Sequence, residues 1–348
     1  SAAAQAEQEN QRILAQAEEL AAGYNYEDAI MMLDSMGDLT QHQDLQAKRA
    51  EYINTMSTLI EYKDPSMIPN LSFHVLIHDL AKAKTSEQYG GSYNKNFVST
   101  SEFTKILEHL YNNGYVLVDF DSFVGSKTDI NGNEQFEAVP IYLPADKKPV
   151  MITETLVNYE TFSIDSDGDL EADKGGDGFA SKLVGKDGKI VNEYVDAEGN
   201  TLYGAYDLVP ILEAFIEAHP DFCYRGARAT LAVSGEDGVF GYRTMHSVKE
   251  KKSEEYYNQQ VEGAKAIAQA LRDRGYTIAC YTYKNDAYAN WSSAQIQADL
   301  QSWTNQITSI IGNVDTFVFA KTSNITDYNG NSFQVMYQSG FRYFISNG

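Results

Sequence analysis

Residues 150–160 read VMITETLVNYE. An apolar run ends in Thr153, Glu154 and Thr155, and Asn158 and Tyr159 follow. In parallel α/β folds, polar side chains at the carboxyl end of a strand are where chemistry collects. Glu154 is therefore the first candidate acid or base, with Asn158 and Tyr159 as candidate ligand contacts. His74 and His78 stand four apart in LSFHVLIH, with Asp79 next to them. On a strand both rings share one face, which is open to a metal site or to two structural histidines. Asp165, Asp167, Asp169 and Glu171 alternate along one loop, as carboxylates around calcium do. Gly168 comes too early for the full calcium-loop pattern, so a solvated acidic loop is the simpler reading. Arg243, in GYRT, pairs with a carboxylate inside the fold or contacts a ligand, and both stay open. No Ser-His-Asp or Cys-His arrangement and no Gly-rich phosphate loop appears.

Positioning these residues requires a regular alternation of strands and helices. Strands are expected at 71–78, 115–120, 150–153, 229–233, 276–283, 315–320 and 341–346. Helices between them start near Thr100, Asp207, Glu255, Asp299 and Phe333, several ending at a glycine such as Gly114, Gly275 or Gly312. Strand, helix, strand, repeated, predicts a mostly parallel sheet or barrel. Residues 163–206 interrupt this rhythm. Turn sequences at 186–189 and 196–200 flank IVNEYV and predict a small β-hairpin insertion. Upstream, residues 1–66 carry apolar positions at helical spacing, with helices from about Ile13, Tyr26 and Gln41. AEELAAGYNYEDAIMMLDSM is weakly similar to one tetratricopeptide-like hairpin, and one unit is too few for a solenoid. The expected domains are thus a helical extension, 1–66, and an α/β domain, 67–348.

The chain has 348 residues, and its 49 acids against 27 bases give a formal charge of −22. Such a surface repels phosphate backbones and anionic lipid, which argues against nucleic acid and membrane surfaces as partners. No apolar run approaches the ~20 residues that span a bilayer. Cys223 and Cys280 each lie in apolar stretches and are expected as buried free thiols. The start SAAAQAEQEN lacks Met and reads as a trimmed or mature terminus, consistent with a removed export signal.

The order of LSFHVLIHD, STSEFTKILEHLYNNGYVLVDFDSF, KKPVMITE and the helix before YTIACYTYKN resembles the polysaccharide deacetylases, the NodB-like carbohydrate esterases. GDGFASKLV, YDLVPILEAFIEAHPDF and GVFGYRT are similar to one bacterial subgroup. The resemblance covers roughly 68–346 and implies a distorted (β/α) barrel of about seven strands, its site at the strands' carboxyl ends. It also implies hydrolysis of N- or O-acetyl groups on glycans, assisted by a divalent metal, commonly zinc. That chemistry needs a base and a metal-binding aspartate side by side, and two histidines four residues apart. Laid on this pattern, the aspartates fall at Thr155 and Leu156 and the histidines at Tyr281 and Asn285. None of the four is a good zinc ligand. The later loop reads AKTSN, with Lys321 near the mouth.

The resemblance therefore implies a degenerate member, with no metal at the family site and no hydrolysis. It leaves a residual pocket built from His74, Glu154, Asn158, Tyr159, Arg243, Tyr283 and Lys321. Glu154 precedes the family's base by one residue, and a one-residue shift on a strand turns a side chain to the other face. The expected ligand is a glycan or peptidoglycan, outside the cell or on its surface. Two alternatives stand beside this: a hydrolase with a rebuilt site recruiting Glu154, His74, His78 or an acid of 163–177, and an interaction protein whose N-terminal helices bind a protein partner.

Overall fold

The computed structural model describes residues 1–347. Along the chain come helices α1 (Ala2–Ala22), α2 (Tyr26–Asp34) and α3 (Gln43–Thr58), strand β1 (Asn70–His74), helix α4 (Thr100–Asn112) and strands β2 (Tyr115–Leu117) and β3 (Lys148–Thr155). Then follow α5 (Leu208–Ala218), β4 (Thr230–Val233), α6 (Glu254–Asp273), β5 (Thr277–Cys280), α7 (Ser293–Gln306), β6 (Thr316–Val318), α8 (Asn331–Gln338) and β7 (Tyr343–Ile345). The chain divides into two compact units: residues 1–69, 108–151 and 215–228, and residues 70–107, 152–214 and 229–348.

In the first unit, α1 and α2 bury Ile13, Ala17, Ala21, Ala29 and Leu33 against Leu45 and Tyr52 of α3. Asn25 caps α2 through its side chain, with Glu27 and Asp28 in the first turn. Helix α3 ends at Thr58, because Leu59 turns extended and Ile60–Tyr62 pairs antiparallel with Ile141–Leu143. A second cluster joins Tyr24 to Val116, Val118, Ile141, Leu143, Met151 and Tyr224. The compact unit that holds the N-terminal helices thus includes chain from much further on. Tyr115–Leu117 pairs parallel with Lys148–Val150, the entry half of β3. Val124–Thr128 and Glu134–Ala138 form an antiparallel hairpin that no hydrophobic pattern announces, with Ile130 at its tip 99% exposed.

The second unit holds a curled parallel sheet of six strands in the order β7-β6-β5-β4-β3-β1. Parallel pairing is explicit from β3 to β7. Asn70 bonds Thr153, and Phe73 meets Thr155, so β1 rises alongside β3 in the same direction. The strand order is open, with β7 and β1 at its ends. Every residue of β4 and β6 is buried, as sheets covered on both faces require. The expected hairpin insertion is a three-stranded antiparallel meander, Lys182–Lys186, Lys189–Val195 and Thr201–Gly204. The expected strand 71–78 stops at His74, because the Leu76 amide is taken by the Asp207 carboxylate, 2.9 Å away. His78 therefore lies beyond the strand, which corrects the expectation that it shares a strand face with His74.

Candidate functional site

Strand alternation sorts the residues at the carboxyl end of β3. Thr155 points toward β1, its hydroxyl 3.4 Å from both His74 Nδ1 and the Phe73 carbonyl. The Tyr281 hydroxyl also bonds Thr155, and receives the Lys321 amide at 3.3 Å and Asn347 at 3.0 Å. Thr155 and Tyr281 thus meet in space. Asn285 shares a loop with Tyr281 and adopts φ 51°.

Around Thr155 lies a recess of about 130 Å³, lined by His74, Tyr93, Phe97, Leu156, Tyr159, Glu160, Phe162 and Phe179, among others. His74 stacks on Phe97 with ring centroids 4.5 Å apart, and Phe97 and Phe179 each meet Tyr93 edge-on. The Tyr93 hydroxyl is fixed by Asp177 at 2.9 Å. The walls are aromatic and the polar groups few, the composition of a small-ligand site. Burial holds His74 below the usual histidine range, so its ring is neutral near pH 7. Glu160, at the recess edge, is pushed up to about 7, first by burial and then by the charges of Asp237 and Glu236, against the pull of Arg243 and Lys321. The sequence gives no sign of this, because Glu160 is shifted by acids about 76 residues away.

Glu154 faces the other way and is fully buried. It lies against Asp207, the residue just before α5, and no donor reaches either Glu154 oxygen. Asp207 is rich in donors: the Leu76 amide at 2.9 Å, the Tyr159 hydroxyl at 2.6 Å and the Leu208 amide. Burial and the neighbouring Asp207 raise Glu154 well above the usual carboxylate range. Burial raises Asp207 as well, but its donors pull it back down, so Glu154 is the member of the pair that holds a shared proton. Asn192 donates to the Tyr159 hydroxyl at 3.1 Å and completes the network. Glu154 is absent from the recess lining.

Two other expected pocket residues serve the backbone, and a third is tied to a neighbouring helix. Asn158 bonds the Ser234, Glu236 and Gly238 carbonyls and accepts the Ser234 amide. Arg243 reaches the carbonyls of Tyr159 and Asp237, each at 2.7 Å, and of Asn158 at 3.5 Å. Tyr283 is tied to α7 through its amide on Asp299 and its hydroxyl on Gln306. Lys321 pairs with Asp286 at 3.5 Å. His78 packs against Tyr194 and Tyr206, with ring centroids 4.9 and 4.6 Å away.

Non-glycine residues in the left-handed region crowd the strand ends: Leu156 and Tyr159 after β3, Asp237 and Phe240 after β4, Thr282 and Asn285 after β5, Lys321 and Thr322 after β6. Each is strained by about 1 kcal/mol or more and needs surroundings that over-determine it. Such strain gathers where geometry serves a site.

A zinc centre needs about three nitrogen, sulfur or carboxylate ligands converging on one point. The recess offers one imidazole and one carboxyl, beside Thr155, Leu156 and aromatic rings, and this donor set does not fit the metal. Among the described residues, three such ligand atoms converge within 4.8 Å only at Asp165, Asp167 and Asp173. There the carboxylates already serve their own loop: Asp165 accepts the Gly168 and Leu170 amides, Asp167 that of Asp169, Asp169 that of Glu171, and Asp173 that of Ser166. Glu171 turns instead to the Tyr256 hydroxyl at 3.3 Å and Lys252 at 3.6 Å. No helix among the described residues is long and apolar enough to cross a membrane.

No known family matches the chain, and no curated protein matches it. Among solved structures, it is similar to a Streptococcus pyogenes deacetylase, PplD, solved in complex with acetate. The likeness covers 82% of each chain at 11% identity, with a TM-score of 0.36, a level that carries no functional argument.

Proposed function

We propose that this chain is a deacetylase-like protein of the cell exterior that binds an acetylated glycan, such as peptidoglycan, without hydrolysing it. One observation carries the reading: the recess at the carboxyl end of β3 has aromatic walls and a His74–Thr155 floor, with no convergent set of metal ligands. Aromatic faces bind the C–H faces of a sugar or an acetyl methyl, and the hydroxyls and imidazole orient its polar edge. The segment order described above supports the deacetylase-like assignment and its barrel type. A protein partner at α1–α3 is the corresponding proposal for the first unit. The test is calorimetric titration with N-acetylated chito-oligosaccharides, beside acetate release with zinc, cobalt or manganese added. Binding without acetate release is expected. Turnover that depends on added metal sinks the reading.

Glu160 favours a second reading. A carboxyl held to about 7 in a recess that also holds a neutral imidazole is matched to general acid–base work near neutral pH. On this reading the recess is a rebuilt hydrolytic site. Metal-independent acetate or ester release, abolished by Glu160→Gln, decides for it; an inert wild type across an ester and glycan panel decides against it.

A further inference from the structure

The recess does not end at its own rim. Phe162 forms part of its wall and also part of the wall of a second recess, of about 290 Å³. The ring is 44% exposed and packs on Tyr89 with centroids 4.6 Å apart. Tyr89 in turn meets Tyr93, and Tyr93 meets Phe97, which stacks on His74. A continuous row of rings thus leads from the floor of the first recess to an exposed ridge.

The two recesses differ in chemistry. The first is mostly aromatic. The second presents Asp165, Asp237, Ser247 and Lys251 around the apolar edge of Phe162. Asp237 accepts from the amide and hydroxyl of Thr161, and Asp165 from two loop amides. An ionised carboxylate has about four acceptor sites, so both retain capacity for hydroxyl donors. A polar recess, an apolar ridge and an aromatic recess in sequence match a chain of pyranose rings, each with polar edges and a C–H face.

We propose that Phe162 divides two adjoining sugar subsites, so that the ligand is an oligosaccharide of at least two rings with one ring lying across the Phe162 face. This rests on the glycan-binding reading above and adds the length of the ligand and the residue that selects it. The ridge contributes about tenfold in affinity, equivalent to about 1.4 kcal/mol.

The experiment is calorimetric titration of wild type, Phe162→Ala, Phe162→Trp and Lys251→Ala with N-acetylglucosamine and with its β-1,4-linked tetramer. Wild type is expected to bind the tetramer more tightly. Phe162→Ala loses about tenfold on the tetramer, while a urea unfolding midpoint equal to that of wild type checks that the variant is folded. Phe162→Trp retains tetramer binding. Lys251→Ala, an exposed change in the second recess alone, weakens the tetramer and leaves the monomer unchanged. If Phe162→Ala and Lys251→Ala both bind the tetramer as wild type does, the two-subsite proposal is overturned and glycan binding stands. If wild type binds neither sugar, the glycan reading falls and the proposal falls with it.

Discussion

Glu154 is the residue on which sequence and structure part most clearly. An acid at the end of an apolar strand reads as catalytic, yet here it is sealed away from the recess against Asp207. Its folded pKa lies above its unfolded value, so the folded state holds the proton more tightly. Stability from this group is therefore fully present below about pH 4.5 and falls as pH rises through the folded value. Glu154→Gln keeps a donor for Asp207 and removes that slope. Urea unfolding from pH 4.5 to 9 is expected to show the variant gaining steadily on wild type; a pH-independent difference refutes the shared proton. Asp207→Ala, by contrast, strips acceptors from the Leu76 amide, the Tyr159 hydroxyl and protonated Glu154. A loss of about 3 kcal/mol or more in unfolding free energy is expected. The pairing was partly legible: an aspartate directly before the apolar run LVPILEAF has the signature of a helix start. That it meets Glu154, 53 positions earlier, is a tertiary fact with no local signal.

At the scale of elements, the alternation of strands and helices was readable because each has a buried face with its own period. Strand ends were not, since these are set by partners. β1 stops at His74 because Asp207 takes the next free amide, and α3 stops at Thr58 because Ile60–Tyr62 finds Ile141–Leu143. Helix α7 begins at Ser293 and not near Asp299, because Ser292 and Gln295 make a reciprocal capping box that the sequence spells as S-x-x-Q. Ser292→Ala is expected to cost about 1 kcal/mol. Asp299, buried inside that helix, accepts the Tyr283 and Lys284 amides and the Tyr288 hydroxyl, and so holds the loop that carries Tyr281. In α6, Gly263 is a glycine in mid-helix, where alanine normally gains about 1 kcal/mol. Here an added Cβ meets the Tyr242 ring at 2.3 Å, and that ring is pinned by its hydroxyl on the Leu183 carbonyl at 2.7 Å. Gly263→Ala is therefore expected to destabilise, by about 1–3 kcal/mol in chemical unfolding. A stabilised variant means the ring is free to move.

For the whole molecule, the net charge of −22 sets a long-range repulsion that opposes compaction. Because this is screened within about 8 Å at physiological salt, the melting temperature is expected to rise between about 10 mM and about 300 mM NaCl. A melting temperature independent of salt indicates that local pairs, such as Arg49–Asp34 and Lys127–Glu137, already offset the field. The sequence places a helical extension at 1–66, whereas Tyr24 of that segment shares a buried cluster with Ile141, Met151 and Tyr224. Its hydroxyl bonds the Asp221 carbonyl at 2.6 Å. Chain 70–348 alone is accordingly expected to melt lower and bind more hydrophobic dye than the full chain.

That clustering also bears on synthesis. Helices α1–α3 leave the ribosome ahead of the α/β elements, but Tyr224 follows Tyr24 by about 200 residues, which at 5–20 residues per second is a wait of roughly 10–40 s. During that interval Tyr24 lacks the Tyr224 ring that stacks on it. The nascent α1–α2 segment is thus a natural client for holding chaperones, and slower translation between residues 24 and 224 lengthens its exposure.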